Sequence, residues 1–189
     1  MKEQHTQNKQ ENSSQNLPKQ RKAKKLPVAI TDEEFFKLIE NTNMKKHKLA
    51  FLLGYGAGMR ISEILNLKPE DINLVQKSIL IKEGKGKKDR VVPMPKGFKI
   101  EYLNLLPLKM GVRALQITFK RACSRAGLLQ NKPNLHFHSL RHGFATNSVS
   151  KGIPIHHIRT LMGHSNISTT NVYLEMNPKE ALKSYEELF

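Results

Sequence analysis

Two short segments, 78–82 and 90–93, carry the strand-like text of this chain. The seven residues between them, Glu83-Gly-Lys-Gly-Lys-Lys-Asp89, are polar and glycine-bearing. Such a pair predicts a β-hairpin. Around it the sequence is punctuated as helices. Thr31-Asp-Glu-Glu34 is a capping box opening an amphipathic helix with Phe35, Leu38 and Ile39 inward. A second helix over 46–54 runs into Gly54-Tyr-Gly-Ala-Gly58, and a short one over 60–67 places Ile61, Ile64 and Leu65 on one face before Lys68-Pro69. Beyond the hairpin, helices are predicted over 115–126 and 138–150. Another has Pro154 in its first turn and ends near Gly163, and two more cover 168–175 and 178–188, the last capped by Asn177. Between Pro93 and Leu115, Pro95 and Pro107 break any full helix. No internal repeat is visible. The expected fold class is mainly α with a small antiparallel β-sheet.

Charge narrows the function. The 189 residues hold 32 Lys+Arg against 16 Asp+Glu, a formal net charge of +16. That excess points to a polyanionic partner, nucleic acid before an acidic membrane surface. Residues 1–25 contain seven basic and two acidic side chains with only Met1, Leu17 and Ala23 apolar. They read as a solvated, disordered basic tail able to track phosphates, ahead of one folded domain over 26–189. The longest nearly apolar stretch, 49–59, is 11 residues with three glycines, short of a bilayer span, and the N-terminus has no apolar signal core. The single cysteine, Cys123, excludes an internal disulfide and a multi-cysteine zinc site and suits a reducing compartment. A cytoplasmic protein with a nucleic-acid partner is expected, with no membrane contact.

Four clusters carry candidate chemistry. Arg60 and Glu63 are three apart on a helix and share a face, as surface ion pairs also do. The hairpin tip, Gly84 to Arg90, offers Lys85, Lys87, Lys88 and Arg90. It lacks P-loop spacing and by itself reads as a solvated charged turn. In His136-Phe-His-Ser-Leu-Arg-His142, His138 and Arg141 lie one helical turn apart and can face one anionic centre. A metal site of His136, His138 and His142 is disfavoured, because no carboxylate lies in the cluster and Arg141 repels a cation. Finally, a turn presents His164 and a helix presents Tyr173 nine residues later.

The ordered set closely resembles the tyrosine recombinases, the phage-integrase family. It comprises Arg with Glu three later, a hairpin Lys, His-x-x-Arg, then Gly-His with Tyr nine later. The resemblance runs from about Leu26 to the C-terminus, and is most specific in His138-Ser-Leu-Arg-His-Gly-Phe-Ala-Thr146 and in Leu161-Met-Gly-His-Ser165 with Thr169 and Tyr173. It implies that family's catalytic fold and a site-specific recombinase that cleaves and rejoins DNA strands through a covalent 3′-phosphotyrosyl link. Tyr173 would be the nucleophile, and His138 would receive its proton. Arg60, Arg141 and His164 would hold the non-bridging oxygens, Lys85 would protonate the leaving 5′-oxygen, and Glu63 would support the assembly. Lys87, Lys88 and Arg90 remain as DNA-binding residues or alternatives to Lys85. No metal, nucleotide or other cofactor is required.

As partners the resemblance implies double-stranded DNA and further copies of the chain, dimer to tetramer in a synapse, with a monomer or weak association when free. The apolar stripe Ala181, Leu182, Tyr185, Leu188 and Phe189 either caps its own core or docks on a neighbouring protomer. One departure is clear: only the basic tail precedes the catalytic part, where most members carry a helical core-binding domain, as a compact form or a fragment would. Two other readings stay open. One is a non-catalytic DNA-binding regulator on this fold, although every catalytic position is retained. The other is a type IB topoisomerase-like relaxing enzyme, although the larger DNA-encircling apparatus is missing.

Overall fold

A computed structural model describes residues 27–82 and 89–163. The tail 1–25, the hairpin tip with Lys85, Lys87 and Lys88, the turn with His164, and the segments expected at 168–175 and 178–188 with Tyr173 all lie outside the described residues.

The first helix, α1 (Asp32–Glu40), opens on a complete capping box. Glu34 N–H donates to the Thr31 hydroxyl at 3.3 Å, and Thr31 N–H donates to the Glu34 carboxylate at 2.9 Å. Its Phe35 and Leu38 face inward, against α2 (Lys45–Gly56), the central element. Leu49, Ala50, Phe51 and Leu53 of α2 are all fully buried, so this helix is apolar around most of its circumference and is covered on several sides. It extends two residues past the expected end at Gly54. Gly54 allows the close approach of α6 (His138–Ser150), since a Cβ there would lie 3.2 Å from Leu140. The short α3 (Ile61–Asn66) buries Ile64 and is followed by a 3₁₀ turn, Pro69–Asp71.

The hairpin forms as expected, with one addition. Strands β2 (Ser78–Ile81) and β3 (Arg90–Pro93) pair antiparallel in the register Ile79↔Val92 and Ile81↔Arg90, and a two-residue strand β1 (Ile72–Asn73) adds to β2. Two residues show no readable alternation, which is why β1 escapes the pattern. One face buries Ile79, Ile81 and Val92 while Val91 points outward.

Beyond a 3₁₀ segment, Ile100–Leu105, α4 (Val112–Arg125) starts three residues before the expected Leu115, its Gly111 already acting as N-cap. A single-turn helix α5 (Leu128–Asn131), too short for a periodic signal, leads to α6. The core closes around Phe51, Phe119 and Phe137, whose rings meet edge to face at 5.5 to 6.1 Å. Phe137 immediately precedes His138, so the packed core sets where α6 begins. The last described helix, α7 (Ile155–Met162), follows Pro154 and ends at Gly163, which is left-handed at φ +60°. Ile158 and Met162 pack with Phe144 and Ala145 of α6 in a second apolar cluster. None of the described helices is long and apolar enough to cross a membrane.

Candidate active site

The start of α6 is held by the backbone before it. Lys120 of α4 donates from Nζ to the carbonyls of Pro133 and Leu135 at 2.6 and 3.1 Å, fixing the chain just ahead of His136. Ser139, fully buried, accepts from the His136 backbone N–H at 3.3 Å and lies 3.1 Å from its Nδ1. His138 thus leaves the core at the start of α6 and reaches the surface, its ring set among the neighbouring histidines. It borders a groove of about 520 Å³ whose walls include Gln116, Ile117, Lys120 and Asn134.

One turn along, Arg141 is buried at 2% exposure. A buried guanidinium demands partners, and Arg141 donates through one terminal nitrogen to the Gly58 carbonyl and through the other to the Met162 carbonyl at 2.5 Å. Gly58 is built for this. At φ +62° it takes a backbone shape that L side chains avoid, and a Cβ would meet Phe144 at 2.5 Å. It turns its carbonyl toward α6 just before Arg60, at the N-cap of α3.

Arg60 lies partly buried beside Glu63. Its Nη1 donates to Glu63 Oε1 at 2.9 Å, its backbone N–H to Oε2 at 2.7 Å, and its Nη2 to the Gly163 carbonyl at 3.2 Å. The same carboxylate takes a two-pronged contact from Arg90, Nη1 to Oε1 at 2.8 Å and Nη2 to Oε2 at 2.7 Å, while Arg90 Nε donates to the Leu161 carbonyl at 2.9 Å. Three arginines from three separate elements therefore bind three successive carbonyls, at residues 161, 162 and 163. These belong to the end of α7, where unpaired carbonyls and the helix dipole favour cations. The next residue in the chain is His164.

Electrostatics follow from this crowding. Burial alone would raise the Glu63 carboxyl, but hydrogen bonds from Arg90 and the Arg60 backbone, with the charge of Arg90, bring it down to about 2. His138 is held below the usual histidine value by desolvation first, then by repulsion from Arg141, His136 and Arg60, with Glu63 opposing. His142 is pushed down to about 4 by burial and by the same histidines and Arg141. Both rings are accordingly neutral at pH 7. The His136, His138 and His142 rings lie 5.3 to 6.4 Å apart, yet among the described residues no group of three His, Cys, Asp or Glu is arranged to hold a metal ion.

Of the residues expected at the site, Arg60, Glu63, His138 and Arg141 meet in one region with Arg90. Lys85, Lys87, Lys88, His164 and Tyr173 lie outside the described residues. Arg90 departs from its expectation as a DNA-facing cation, because its side chain is 8% exposed and turned onto Glu63. Gly58 was not singled out as an acceptor; the glycine run 54–58 was its only sequence signal.

The arrangement has relatives. The model of the phage integrase family matches residues 29–106 and 101–180. The chain is 32% identical over 182 residues to tyrosine recombinase XerA of Pyrococcus horikoshii, covering 87% of this chain and 62% of that protein, so it spans under two thirds of that relative's length. It is 31% identical over 194 residues to a tyrosine recombinase of Thermosipho africanus, covering 94% and 68% respectively. The crystal structure of XerH site-specific recombinase in a post-cleavage complex with a palindromic difH substrate superposes with a TM-score of 0.70 at 27% identity, covering 85% of this chain and 53% of that one. With the family model matched over residues 29–106 and 101–180 and the helical fold with its small sheet shared with a solved recombinase, the chain belongs to the phage integrase family.

Proposed function

We propose that this chain is a tyrosine-type site-specific recombinase, which breaks and rejoins DNA strands through a covalent 3′-phosphotyrosyl intermediate. The observation that carries the reading is the convergence of Arg60 and Arg141, from α3 and α6, on the carbonyls of Met162 and Gly163, immediately before His164. The relatives named tyrosine recombinases, and the XerH complex with its cleaved DNA, support carrying that activity over.

The chemistry is assigned as follows. The Tyr173 phenol attacks the scissile phosphorus, forming a phosphotyrosyl ester and expelling the 5′-oxygen of the next nucleotide. Ionising a free phenol at pH 7 costs about 4 kcal/mol, so a proton acceptor is needed. His138, neutral because desolvation and nearby cations depress its pKa, fills that role. Negative charge gathering on the non-bridging oxygens is met by Arg60 and Arg141, whose guanidiniums are held in advance by carbonyls and Glu63, and by His164. Lys85 supplies the proton to the leaving oxygen. The reverse sequence, with the 5′-hydroxyl of another strand as nucleophile, reseals the DNA with no external energy source. Neither metal nor nucleotide enters. The partners are double-stranded DNA and further copies of the chain assembled on it, a dimer growing to a synaptic tetramer, and the setting is the cytoplasm.

A nicked suicide duplex built on candidate inverted-repeat sites mapped on the native replicon tests the reading. The expected result is a covalent protein–DNA adduct that survives EDTA and vanishes in Tyr173→Phe. Cleavage that persists in Tyr173→Phe and is lost in EDTA would make the protein a metal-dependent nuclease instead.

A further inference from the structure

We propose that Arg90 is a positioning residue for strand cleavage, setting Arg60 through Glu63 and fixing the end of α7, and that it does not contact DNA. The proposal rests on the recombinase reading above and assigns the residue a role opposite to that of a phosphate-tracking cation.

The geometry carries it. Arg90 begins β3 opposite Ile81, on the face that buries Ile79 and Val92, so its side chain enters the protein where its neighbour Val91 leaves it. Each of its three guanidinium nitrogens already donates a hydrogen bond, two to the oxygens of Glu63 and one to the Leu161 carbonyl. Glu63 returns both oxygens to Arg60, and Arg60 reaches the Gly163 carbonyl. A ring of contacts therefore closes through Arg90, Glu63, Arg60 and residues 161–163. Gly163 completes it, since a Cβ there would sit 3.0 Å from Arg90 Cδ. Without Arg90 the carboxylate keeps Arg60 but loses the partner that orients it, and the α7 terminus loses one of its three ties. A misplacement of about 1 Å at a reacting phosphate costs on the order of 10²-fold in rate. Lysine cannot substitute, because a point donor does not span two carboxylate oxygens and a carbonyl together.

The test uses the full chain with Arg90→Lys and Arg90→Gln. Duplex affinity is measured across a salt series, adduct formation on the suicide duplex is timed at saturating protein, and thermal melting confirms that each variant is folded at assay temperature. The expected result is a salt slope equal to wild type, with adduct formation slowed on the order of 10²-fold at saturation. In a double-mutant cycle, Arg90→Lys added to Arg60→Lys should slow the reaction little beyond Arg60→Lys alone, because both act through one guanidinium. A salt slope shallower by about one phosphate contact, with an unchanged saturated rate, would overturn the proposal by making Arg90 a DNA ligand. So would an unchanged slope with an unchanged rate. If neither variant is folded, Glu63→Gln, which keeps a carboxamide oxygen and removes the orienting charge, takes their place: adduct formation slowed at saturation is expected, and an unchanged rate would overturn the proposal. A wild type that forms no adduct sinks the recombinase reading itself, while the salt slope still judges whether Arg90 touches DNA.

Discussion

His142 shows how closely the site couples chemistry to stability at the scale of single residues. Its ring lies 5.3 Å from that of His138, and burial with the neighbouring cations lowers its pKa to about 4. In the unfolded chain the value returns to about 6.5. Above that pH the group is neutral in both states and contributes nothing. As pH falls from about 6.5 toward 4, the unfolded chain binds a proton that the folded one refuses, so stability is lost through that window. At pH 5 the loss is about 2 kcal/mol. Wild type should therefore lose several degrees more of melting temperature than His142→Gln between pH 7.5 and pH 5.0. Equal losses would show that His142 titrates normally. The grouping of His138 with Arg141 was legible from spacing, since helical periodicity alone puts them on one face of α6. Arg90 was half legible: period two in β3 places it with Val92 rather than with Val91, but no local pattern names Glu63, 27 residues away, as its partner.

At the scale of elements, the junction between α2 and α3 joins fold to function. Gly58 is left-handed, abuts Phe144, and offers its carbonyl to Arg141. Gly58→Ala should cost about 1–3 kcal/mol in backbone strain and slow adduct formation at saturating DNA by more than tenfold, because the new Cβ clashes with Phe144 and displaces the carbonyl that orients Arg141. Urea denaturation and single-turnover adduct kinetics on the same variant check the two effects. A destabilised protein with wild-type kinetics would confine Gly58 to folding. The elements themselves were mostly visible in the sequence. The Thr31 capping box, the hairpin strands and α6 over His138–Ser150 fall where local signals put them. What escaped was short: β1 at two residues and α5 at four leave no period to read, and both are held by neighbours rather than by their own pattern.

Across the whole molecule, the charge of +16 far exceeds what one scissile phosphate would use on the proposed recombinase reading. Arg90 is turned inward onto Glu63, and Lys120 and Lys132 are engaged by carbonyls and a carboxylate, so on that reading the tail and the other surface cations are the ones expected to meet the DNA backbone. Deleting residues 1–25, which carry seven of the 32 basic groups, should make the salt dependence of binding shallower by about one unit for each phosphate the tail reaches. The cleavage rate of bound DNA should stay near wild type, and filter binding over a salt series with single-turnover cleavage reads both. A tail that left the slope unchanged would be a spacer without phosphate contacts.

Composition and motif order by themselves determined the helical character of the chain, and pointed to a polyanionic class of partner and to side chains suited to phosphoryl chemistry. Each of these depends on residue type, or on spacing within a few turns of helix. Only the tertiary structure decided which cations are spent holding the site together. A guanidinium in the sequence looks the same whether it faces a phosphate or a buried carboxylate. What separates the two cases is burial and a partner far along the chain, and both exist only once α3, β3, α6 and the end of α7 have packed together.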